Sequence, residues 1–234
     1  MQRFSKQTYG EQVAQLIRQR IRNGKLRGGD SVGEAGLAEE CGISRAPVRE
    51  ALYQLETEGL LMSHPKRGRC VTVLTPEGIR NSYELSGLLE GAAAAKAARN
   101  LPSEIRDRLA AIIDQMREAV RTGEAFDEHA TLGTEFHETI LSLSDNPLLR
   151  SLASRSSRVI SKFLMYRQWR TLYTPEELYD RHSRIYEAMC GGDPQIIEDT
   201  VRAHYAESAE RLARYCEKPA PATRKKGKAH FPAE

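Results

Sequence analysis

The sequence predicts a mainly α-helical protein, in which an N-terminal winged helix-turn-helix is followed by an all-α antiparallel helical bundle. Three observations predict this fold: an amphipathic helix that begins with two arginines, a short alternating ribbon behind it, and long segments of helical period after residue 75. We therefore divide the 234 residues into a winged helix-turn-helix domain (1–74), an all-helical domain (75–217) and a basic tail (218–234).

The first two helices are predicted from their ends. Thr8 and Glu11 form a capping box that begins a helix running to Asn23. Residues 34–40 form a short second helix, and residues 41–43, Cys-Gly-Ile, make the tight turn that leads from it into a third helix. This spacing is typical of a helix-turn-helix.

The third helix carries the two arginines. It begins at Arg45, because Ser44 is a good N-cap and Pro47 lies in the first turn, where its missing amide has no intrahelical partner. Arg45 and Arg49 lie one turn apart, away from the apolar stripe, and Gly59 ends the helix. Such a helix can place both guanidiniums in a DNA groove. Because arginine-bearing surface helices are common, the interpretation depends on the cap, the turn and the neighbouring elements together.

A hairpin follows the third helix. Residues 60–63 and 69–74 are predicted as its strands, joined by a basic Pro-Lys-Arg-Gly turn at 65–68. A basic turn on a two-stranded ribbon is a wing that can touch phosphate or the minor groove, although many loops are basic without binding anything. The candidate contacts in the hairpin are His64, Lys66, Arg67 and Gly68.

The run LAEECGISRAPVREALYQLETEGLLMSHPKRGRCV resembles the winged-helix domain of the GntR family of bacterial transcription regulators. The resemblance covers about residues 9–74. It implies that the stretch SRAPVREAL, which contains Ser44, Arg45, Pro47 and Arg49, enters the major groove of double-stranded DNA. Many relatives carry another arginine early in the second helix, where this chain has Ala35-Gly36, so that contact is expected to be missing.

The charges are divided unevenly along the chain. Residues 1–74 hold 12 Lys and Arg against 8 Asp and Glu, a net charge of +4, whereas residues 75–217 hold 18 against 23, a net charge of −5. The tail again has a net charge of +4, and its richness in Pro, Ala and Lys predicts disorder. The positive field therefore lies on the segments expected to approach a polyanion.

The cysteines and the hydropathy predict a soluble cytoplasmic protein. The four cysteines show neither a C-x-x-C pair nor zinc-ribbon spacing, which is typical of reduced thiols. The start of the chain does not resemble a signal peptide, and no apolar run approaches the roughly 18 residues that span a bilayer. We therefore expect no membrane partner.

The second domain is predicted as six helices. Prolines fall in the first turn of four of them, where proline is tolerated, and glycines mark several ends. The predicted helices are 76–99, 102–122, 124–144, 146–170, 175–190 and 194–216. Together they form an antiparallel bundle, whose first helix carries small residues that permit close approach of a neighbour.

Three histidines are the candidate metal ligands of this domain. His137, His182 and His204 each lie on the face that their helix is expected to bury. Three imidazoles that converge in a bundle can coordinate a divalent ion, although a histidine on an apolar face is more often a hydrogen-bonded core residue. His129, two turns before His137, could share its stripe, but it is expected to face solvent near the helix start.

The stretches ELSGLLEGAAAAKAA, EFHETILSLSDNPLL and RHSRIYEAMCGGDPQIIEDTVRAHY resemble the effector-binding domain of the FadR subfamily of GntR regulators, in its VanR-type six-helix form. The resemblance implies a small-molecule effector, frequently a carboxylate, often a divalent metal, and a homodimer interface. It also implies that the three histidines occupy the positions of the family's metal ligands.

Two positions depart from that family pattern. Gly133 stands where the family usually has a fourth ligand, an aspartate, and Ser86 stands where many relatives have an arginine. A site that survives without the carboxylate should favour zinc or nickel on three imidazoles. Without the aspartate and the arginine, the pocket lacks one charge of each sign and has more space. These changes predict an effector that is bulkier or less acidic than the family's simple organic acids. The candidate effector-binding residues are Ser86, Gly133, His137, His182 and His204.

The expected function is that of a homodimeric, ligand-responsive transcription regulator that binds a near-palindromic operator, with repression as the commoner mode in relatives. One alternative is a DNA-binding scaffold whose helical domain only dimerises. Another is a metal-dependent hydrolase, which is disfavoured because the sequence shows no suitably placed general base, nucleophile motif or phosphate-binding glycine loop. The protein is therefore not expected to be an enzyme.

Overall fold

The computed structural model describes residues 7–97, 100–123, 126–156 and 159–217. The predicted basic tail lies outside the described residues. The described part is mainly helical and has a winged helix-turn-helix at its N-terminal end and a helical domain behind it, which confirms the predicted fold class.

The winged helix-turn-helix consists of three helices and a hairpin. Its elements are α1 (Tyr9–Arg22), α2 (Glu34–Cys41), α3 (Arg45–Thr57), β1 (Leu61–His64) and β2 (Gly68–Val71). The two strands pair in antiparallel register, with Leu61 opposite Val71 and His64 opposite Gly68. The second strand is shorter than predicted and ends at Val71.

Local signals set the helix ends of this domain. The capping box of Thr8 and Glu11 is present, with the Glu11 amide donating to Thr8 Oγ1 and the Thr8 amide donating to Glu11 Oε2. Gly42 ends α2 with a φ of 64°, a left-handed conformation that glycine adopts without steric cost. Ser44 lies at the N-cap of α3, but its hydroxyl makes no capping hydrogen bond.

An apolar core holds the three helices and the hairpin together. The fully buried members of this core include Ala14, Ile17, Val48, Leu52, Leu55, Leu60 and Val71. Full burial of a Val, Leu or Ile side chain stabilises a domain by about 1.5–3 kcal/mol. Because α1, α3 and β1 all contribute to this core, α3 and the hairpin are held together by the same packing.

The second domain is helical throughout its described residues. Its elements are α4 (Pro76–Ala97), α5 (Ser103–Thr122), α6 (Phe126–Ser142), α7 (Pro147–Ser156), a π-helical turn (Ile160–Leu164), α8 (Tyr166–Leu172), α9 (Pro175–Gly191) and α10 (Pro194–Glu217). Its core is separate from that of the winged helix-turn-helix and includes Ile79, Leu109, Met116, Phe136, Ile140 and Ile185.

The predicted fourth helix, 146–170, does not run as one α-helix. The π-helical turn interrupts it, and the Met165 amide donates to the carbonyl of Ile160 over five residues. The extra residue lets Ile160 and Met165 pack into the helical-domain core, while Val159, Phe163 and Leu164 pack against the winged helix core. The prediction was wrong at this point because a periodicity argument assumes a single buried face.

The α4 and α10 helices pack closely because α4 has glycines at the contact. A Cβ added at Gly87 would lie 3.3 Å from the Arg202 Cα, and one added at Gly91 would lie 3.3 Å from the Glu198 carbonyl oxygen. This contact brings Glu90 of α4 and Tyr205 of α10 together in the interior. Within the described residues, no helix is both long and apolar enough to cross a membrane.

Candidate functional site

The arginines of α3 lie at the exposed end of the helix-turn-helix. Both Arg45 and Arg49 are exposed, and Arg49 keeps 64% of its side chain open to solvent. Arg49 also donates to Glu34 of α2, with distances of 2.7 Å from Nη2 to Oε1 and 3.2 Å from Nε to Oε2. This bidentate bond lowers the pKa of Glu34. The guanidinium of Arg49 is thus oriented by the preceding helix and still accessible from outside.

The wing presents exposed basic groups on a braced ribbon. Lys66 and Arg67 are exposed at its tip, Gly68 turns the chain with a φ of 69°, and the Lys66 amide donates to Nδ1 of His64 at 3.2 Å. His64 therefore shapes the turn. At the base, Arg69 pairs with Glu56 of α3 at 2.9 Å, which fixes the wing relative to the recognition helix.

A cavity of about 510 Å³ lies inside the second domain. All three predicted histidines line it, and so does Gly133. Helices α4 to α10 all contribute lining residues, and α1 contributes Arg22. The volume is within the range of small-molecule sites, which is about 300–1,000 Å³.

The structure brings His137, His182 and His204 together as one cluster. One donor nitrogen from each imidazole lies within 4.8 Å of the others. The ring centroids are 5.0–5.1 Å apart. Three residues from α6, α9 and α10 thus converge on one point of the cavity, as the sequence predicted.

Neighbouring groups orient two of the imidazoles. Nδ1 of His137 lies 2.6 Å from Oε1 of the buried Glu90, whose other oxygen accepts from the Tyr205 hydroxyl at 2.7 Å. Nδ1 of His182 donates to the Leu178 carbonyl at 2.6 Å. Carboxylates and backbone carbonyls commonly fix metal-binding histidines in this way, so that the second ring nitrogen points to the ion.

His182 and His204 are suited to bind a metal because they are held neutral. Burial lowers the pKa of His182 to about 3, and burial also lowers the pKa of His204 well below its ordinary value. Nδ1 of His204 is buried and has no hydrogen-bond partner among the described residues. A buried polar atom without a partner is costly unless a ligand satisfies it. The donor set fits a zinc or nickel ion, whose bonds of about 2.0–2.1 Å would draw the nitrogens closer together.

Gly133 lies directly beside this cluster. A Cβ added at Gly133 would be 3.1 Å from Nε2 of His182 and 3.8 Å from the Met116 methyl carbon. A side chain at this position would therefore meet the imidazole at once. Glycine leaves that side of the cluster open, and no carboxylate from position 133 can reach it.

Ser86 lies apart from the cavity. Its side chain is fully buried, and its hydroxyl lies 2.7 Å from the Ser156 hydroxyl, between α4 and α7. Ser86 is not among the described residues that line the cavity. The contact with Ser156 therefore does not support the predicted role of Ser86 in effector binding.

Sequence reasoning placed His129 wrongly. It was expected to face solvent near the helix start, but its side chain is fully buried and lines the cavity. The reason is the direction of the side chain: His129 lines the cavity, whereas Asp127 and Glu128 in the same turn of α6 remain exposed. The two-turn spacing from His137 was the sequence signal that could have identified it.

Arg181 is a cavity residue that the sequence analysis missed. Only 4% of it is exposed, and it forms an ion pair with Glu207 while donating to the Ser208 hydroxyl at 2.7 Å. The same guanidinium donates to the His204 carbonyl at 2.8 Å. Arg181 thus supplies a positive charge to the cavity wall from α9. An arginine next to a buried histidine gives no periodic signal, because charged residues are usually expected on the solvated face.

Family models match both parts of the chain. The model described as bacterial regulatory proteins, gntR family, matches residues 9–71, and the model of the FCD domain matches residues 81–207. The two matches cover the winged helix-turn-helix and most of the helical domain. The histidine cluster falls inside the FCD match, and so do the described residues that line the cavity, apart from Arg22 and Ser208.

Curated relatives resemble the chain over most of its length. The Nta operon transcriptional regulator of Aminobacter aminovorans is 32% identical over 189 residues, which are 80% of this chain and 86% of the relative. The transcriptional repressor RspR of Escherichia coli is 24% identical and covers 88% of this chain and 90% of its own. These relatives are transcriptional regulators and not enzymes.

Solved structures share the fold. The chain matches E. coli McbR/YncC with a TM-score of 0.65 and 21% identity, over 90% of this chain and all of that chain. A structure described as a GntR transcriptional regulator from a Rhodococcus species matches with a TM-score of 0.64 and 23% identity, over 88% and 98% of the two chains. At this identity, the likeness concerns the fold.

Proposed function

The chain belongs to the gntR family of bacterial regulatory proteins and carries an FCD domain, and we propose that it is a homodimeric repressor whose DNA affinity responds to a small organic acid. The observation that carries this proposal is the pair of exposed arginines one turn apart at the start of α3. Side chains at the N-terminal end of a recognition helix contact base edges in the major groove.

Arg45 and Arg49 read guanine edges or anchor phosphate, while the wing grips the neighbouring backbone through Lys66 and Arg67. His64 and Gly68 shape the wing, and Ser44 and Pro47 define where the recognition helix begins. A bidentate arginine contact is worth about 1–3 kcal/mol of base discrimination. The exposure of these groups and the net charge of +4 over residues 1–74 support the assignment.

A homodimer places two recognition helices on the two halves of an inverted repeat. Exposed leucines on α4 and α7, two helices that contact each other, support a dimer through the helical domain, since exposed apolar patches commonly mark interaction sites. They are Leu85, Leu88, Leu148 and Leu152. A near-palindromic operator follows from the two-fold symmetry.

The effector lies in the cavity of the FCD domain, beside the histidine cluster and Gly133. His137, His182 and His204 would hold a zinc or nickel ion, which supplies positive charge for an acidic group of the effector. The open side of the cluster at Gly133 supports an organic acid bulkier than the simple acids typical of the family, and Arg181 lies in the wall of the same cavity. Binding there changes the spacing or orientation of the two recognition helices, so effector and operator affinities are coupled.

The direct test is selection of bound sequences from random duplex DNA by the full chain. We expect an inverted repeat whose half-sites contain a guanine. Arg49→Ala should relax the preference at one base pair of each half-site if Arg49 reads a base. A uniform loss over all sequences, with a smaller salt dependence, would assign Arg49 to phosphate instead. Recovery of random sequence by the unaltered chain would reject the proposal.

A second candidate is a DNA-binding scaffold whose helical domain only dimerises. The internal hydrogen bonds of His137 and His182 favour it, because they satisfy one nitrogen of each ring without a metal. Metal analysis of the purified chain separates the two. We expect one zinc or nickel per chain, lost in His182→Gln and kept in His129→Gln, which alters a buried cavity histidine outside the cluster. Absence of metal from the unaltered chain would favour the scaffold.

A further inference from the structure

The effector cavity reaches the winged helix-turn-helix domain. Arg22, in the last turn of α1, lines the same cavity as the histidine cluster. Asp127 in the first turn of α6 and Tyr166 at the start of α8 line it beside Arg22. A side chain of the winged helix-turn-helix therefore forms part of the cavity wall.

Two groups of the helical domain hold Arg22 in place. Its Nη2 lies 3.4 Å from Oδ2 of Asp127, and its Cζ lies 3.9 Å from the centroid of the Tyr166 ring. The Tyr166 hydroxyl in turn donates to Asp127. The ion pair is partly open to solvent, with 38% of the Arg22 side chain and 52% of the Asp127 side chain exposed. Solvent-exposed ion pairs contribute little to the stability of the folded state, so an acidic ligand can replace Asp127 as the partner of Arg22.

The α1 helix links Arg22 to the recognition helix. Ile17 and Ile21 of α1 are buried in the winged helix core. Near the other end of α1, a Cβ added at Gly10 would lie 3.4 Å from the carbonyl oxygen of Pro47 in α3. A change in the position of Arg22 relative to the helical domain therefore moves α3 as well, because packed helices shift as rigid elements.

We propose that Arg22 binds the second acidic group of an effector whose first acidic group lies at the histidine cluster, in place of the Arg22–Asp127 ion pair. This inference rests on the proposed function, since it takes the cavity to be the effector site. The wall also contains the apolar side chains of Leu141, Trp169 and Leu178. The ligand class is therefore an elongated diacid with an apolar spacer.

Replacement of the Arg22–Asp127 ion pair by a contact between Arg22 and the ligand couples ligand binding to DNA binding. Without the ligand, Asp127 and Tyr166 hold the Arg22 side chain, and this contact adds to the packing of α1 against the π-helical turn. With it, Arg22 is held by the ligand, and the winged helix-turn-helix takes a different position relative to the FCD domain. By linkage, a diacid that changes operator affinity is itself bound with an affinity that depends on the operator.

The test is a calorimetric titration of the full chain, with zinc present, using linear dicarboxylates from glutarate to azelate and monocarboxylates of equal carbon number. In the unaltered chain, the best dicarboxylate should bind about tenfold more tightly than its monocarboxylate, as expected for one charge-assisted hydrogen bond. Arg22→Gln should remove this advantage and leave monocarboxylate binding unchanged.

Arg170→Gln is the matched control. Its Nε lies 3.9 Å from Oδ1 of the same Asp127, but Arg170 is not among the described residues that line the cavity. This variant should keep the advantage of the dicarboxylate. The proposal is overturned if Arg22→Gln keeps the advantage, if Arg170→Gln loses it equally, or if no dicarboxylate binds better than its monocarboxylate.

Anisotropy with a selected DNA duplex separates this inference from the proposed function. The dicarboxylate should change the duplex affinity of the unaltered chain and of Arg170→Gln, but not that of Arg22→Gln. If the unaltered chain does not bind the duplex at all, the proposed function fails. If it binds and the dicarboxylate changes the affinity of Arg22→Gln equally, only the role of Arg22 fails.

Discussion

Arg49 is held by Glu34 from the preceding helix, although both side chains remain accessible to water. The pair orients the guanidinium before DNA arrives, and Glu34 also places a negative charge close to where phosphates would lie. Because an accessible ion pair is weak, DNA can displace the carboxylate. In the proposed DNA complex, Glu34 would therefore lower the affinity for DNA and define the position of Arg49.

Glu34→Gln should raise the affinity for random duplex DNA and weaken the preference at the base pair that Arg49 contacts. The gain arises from the removed negative charge, and the lost preference from the freed guanidinium. Binding of selected and random duplexes over a range of salt concentrations measures both.

The matched control is Glu40→Gln, which removes the same charge from α2 but releases Arg20 and not Arg49. It should leave the base preference intact. Equal effects of the two substitutions would show that Glu34 acts only through net charge.

The lowered pKa of His182 predicts a pH dependence of stability. The pKa of His182 is lowered to about 3 by burial, whereas an unfolded histidine has a pKa of about 6.5. Below pH 6.5 the unfolded chain therefore binds a proton that the folded chain does not. The free energy of unfolding of the metal-free protein should fall by about 2 kcal/mol between pH 7 and pH 5 on account of His182.

Urea unfolding at the two pH values measures this loss. His182→Gln cannot take up the proton, so its stability should depend less on pH by the same amount. An equal pH dependence in the variant and the unaltered chain would show that the imidazole is not held neutral in the folded state.

Among the elements, α4 and α10 depend on glycines for their close contact. At Gly87 a Cβ would lie 3.2 Å from the Tyr205 Cβ, whereas at Gly36 in α2 a Cβ would meet nothing within 4 Å. Both glycines are inside helices, so substituting each by alanine isolates the effect of the space available around the added Cβ.

Gly36→Ala should stabilise the protein by roughly 0.5–1 kcal/mol, because alanine is the better helix former. Gly87→Ala should lose that gain and destabilise the helical domain through crowding, which typically costs about 1–3 kcal/mol for buried additions. Thermal unfolding of the two variants provides the comparison. An equal gain in both would mean that α4 and α10 can separate without cost.

The elements also show what sequence can predict. The capping box at Thr8 and the prolines at the start of α7, α9 and α10 are local signals, and the corresponding helix ends were predicted to within two residues. The π-helical turn was not predicted, because Ile160 and Met165 pack into one core while Val159, Phe163 and Leu164 pack against the other. A single periodicity cannot describe a segment whose neighbours lie on both sides.

At the scale of the whole molecule, the sequence predicted the histidine cluster but not the rest of the cavity. The three histidines lie on apolar stripes of three helices, and a bundle brings such stripes together. The packing of the helices and of the two domains brings Arg22, Asp127 and Arg181 to the cavity. A single sequence does not show which charged residues will line a cavity, because most charged residues are exposed. The same is true of the burial of His129.

The division of charge is also a property of the whole molecule. The winged helix-turn-helix has a net charge of +4 and the helical domain one of −5, so a polyanion approaches from the side of the recognition helix. The cavity proposed for the effector lies in the acidic part but includes Arg22 from the basic part. In the proposed exchange at Arg22, this one side chain links the effector site to the winged helix-turn-helix.

The account rests on DNA reading by α3. The most direct measurement is an anisotropy titration of a selected near-palindromic duplex with the full chain and with the double variant Arg45→Ala, Arg49→Ala. The unaltered chain should prefer this duplex to a scrambled one, and the double variant should lose the preference while keeping its fold. Equal binding of both duplexes by the unaltered chain, or an unchanged preference in the double variant, would contradict the account.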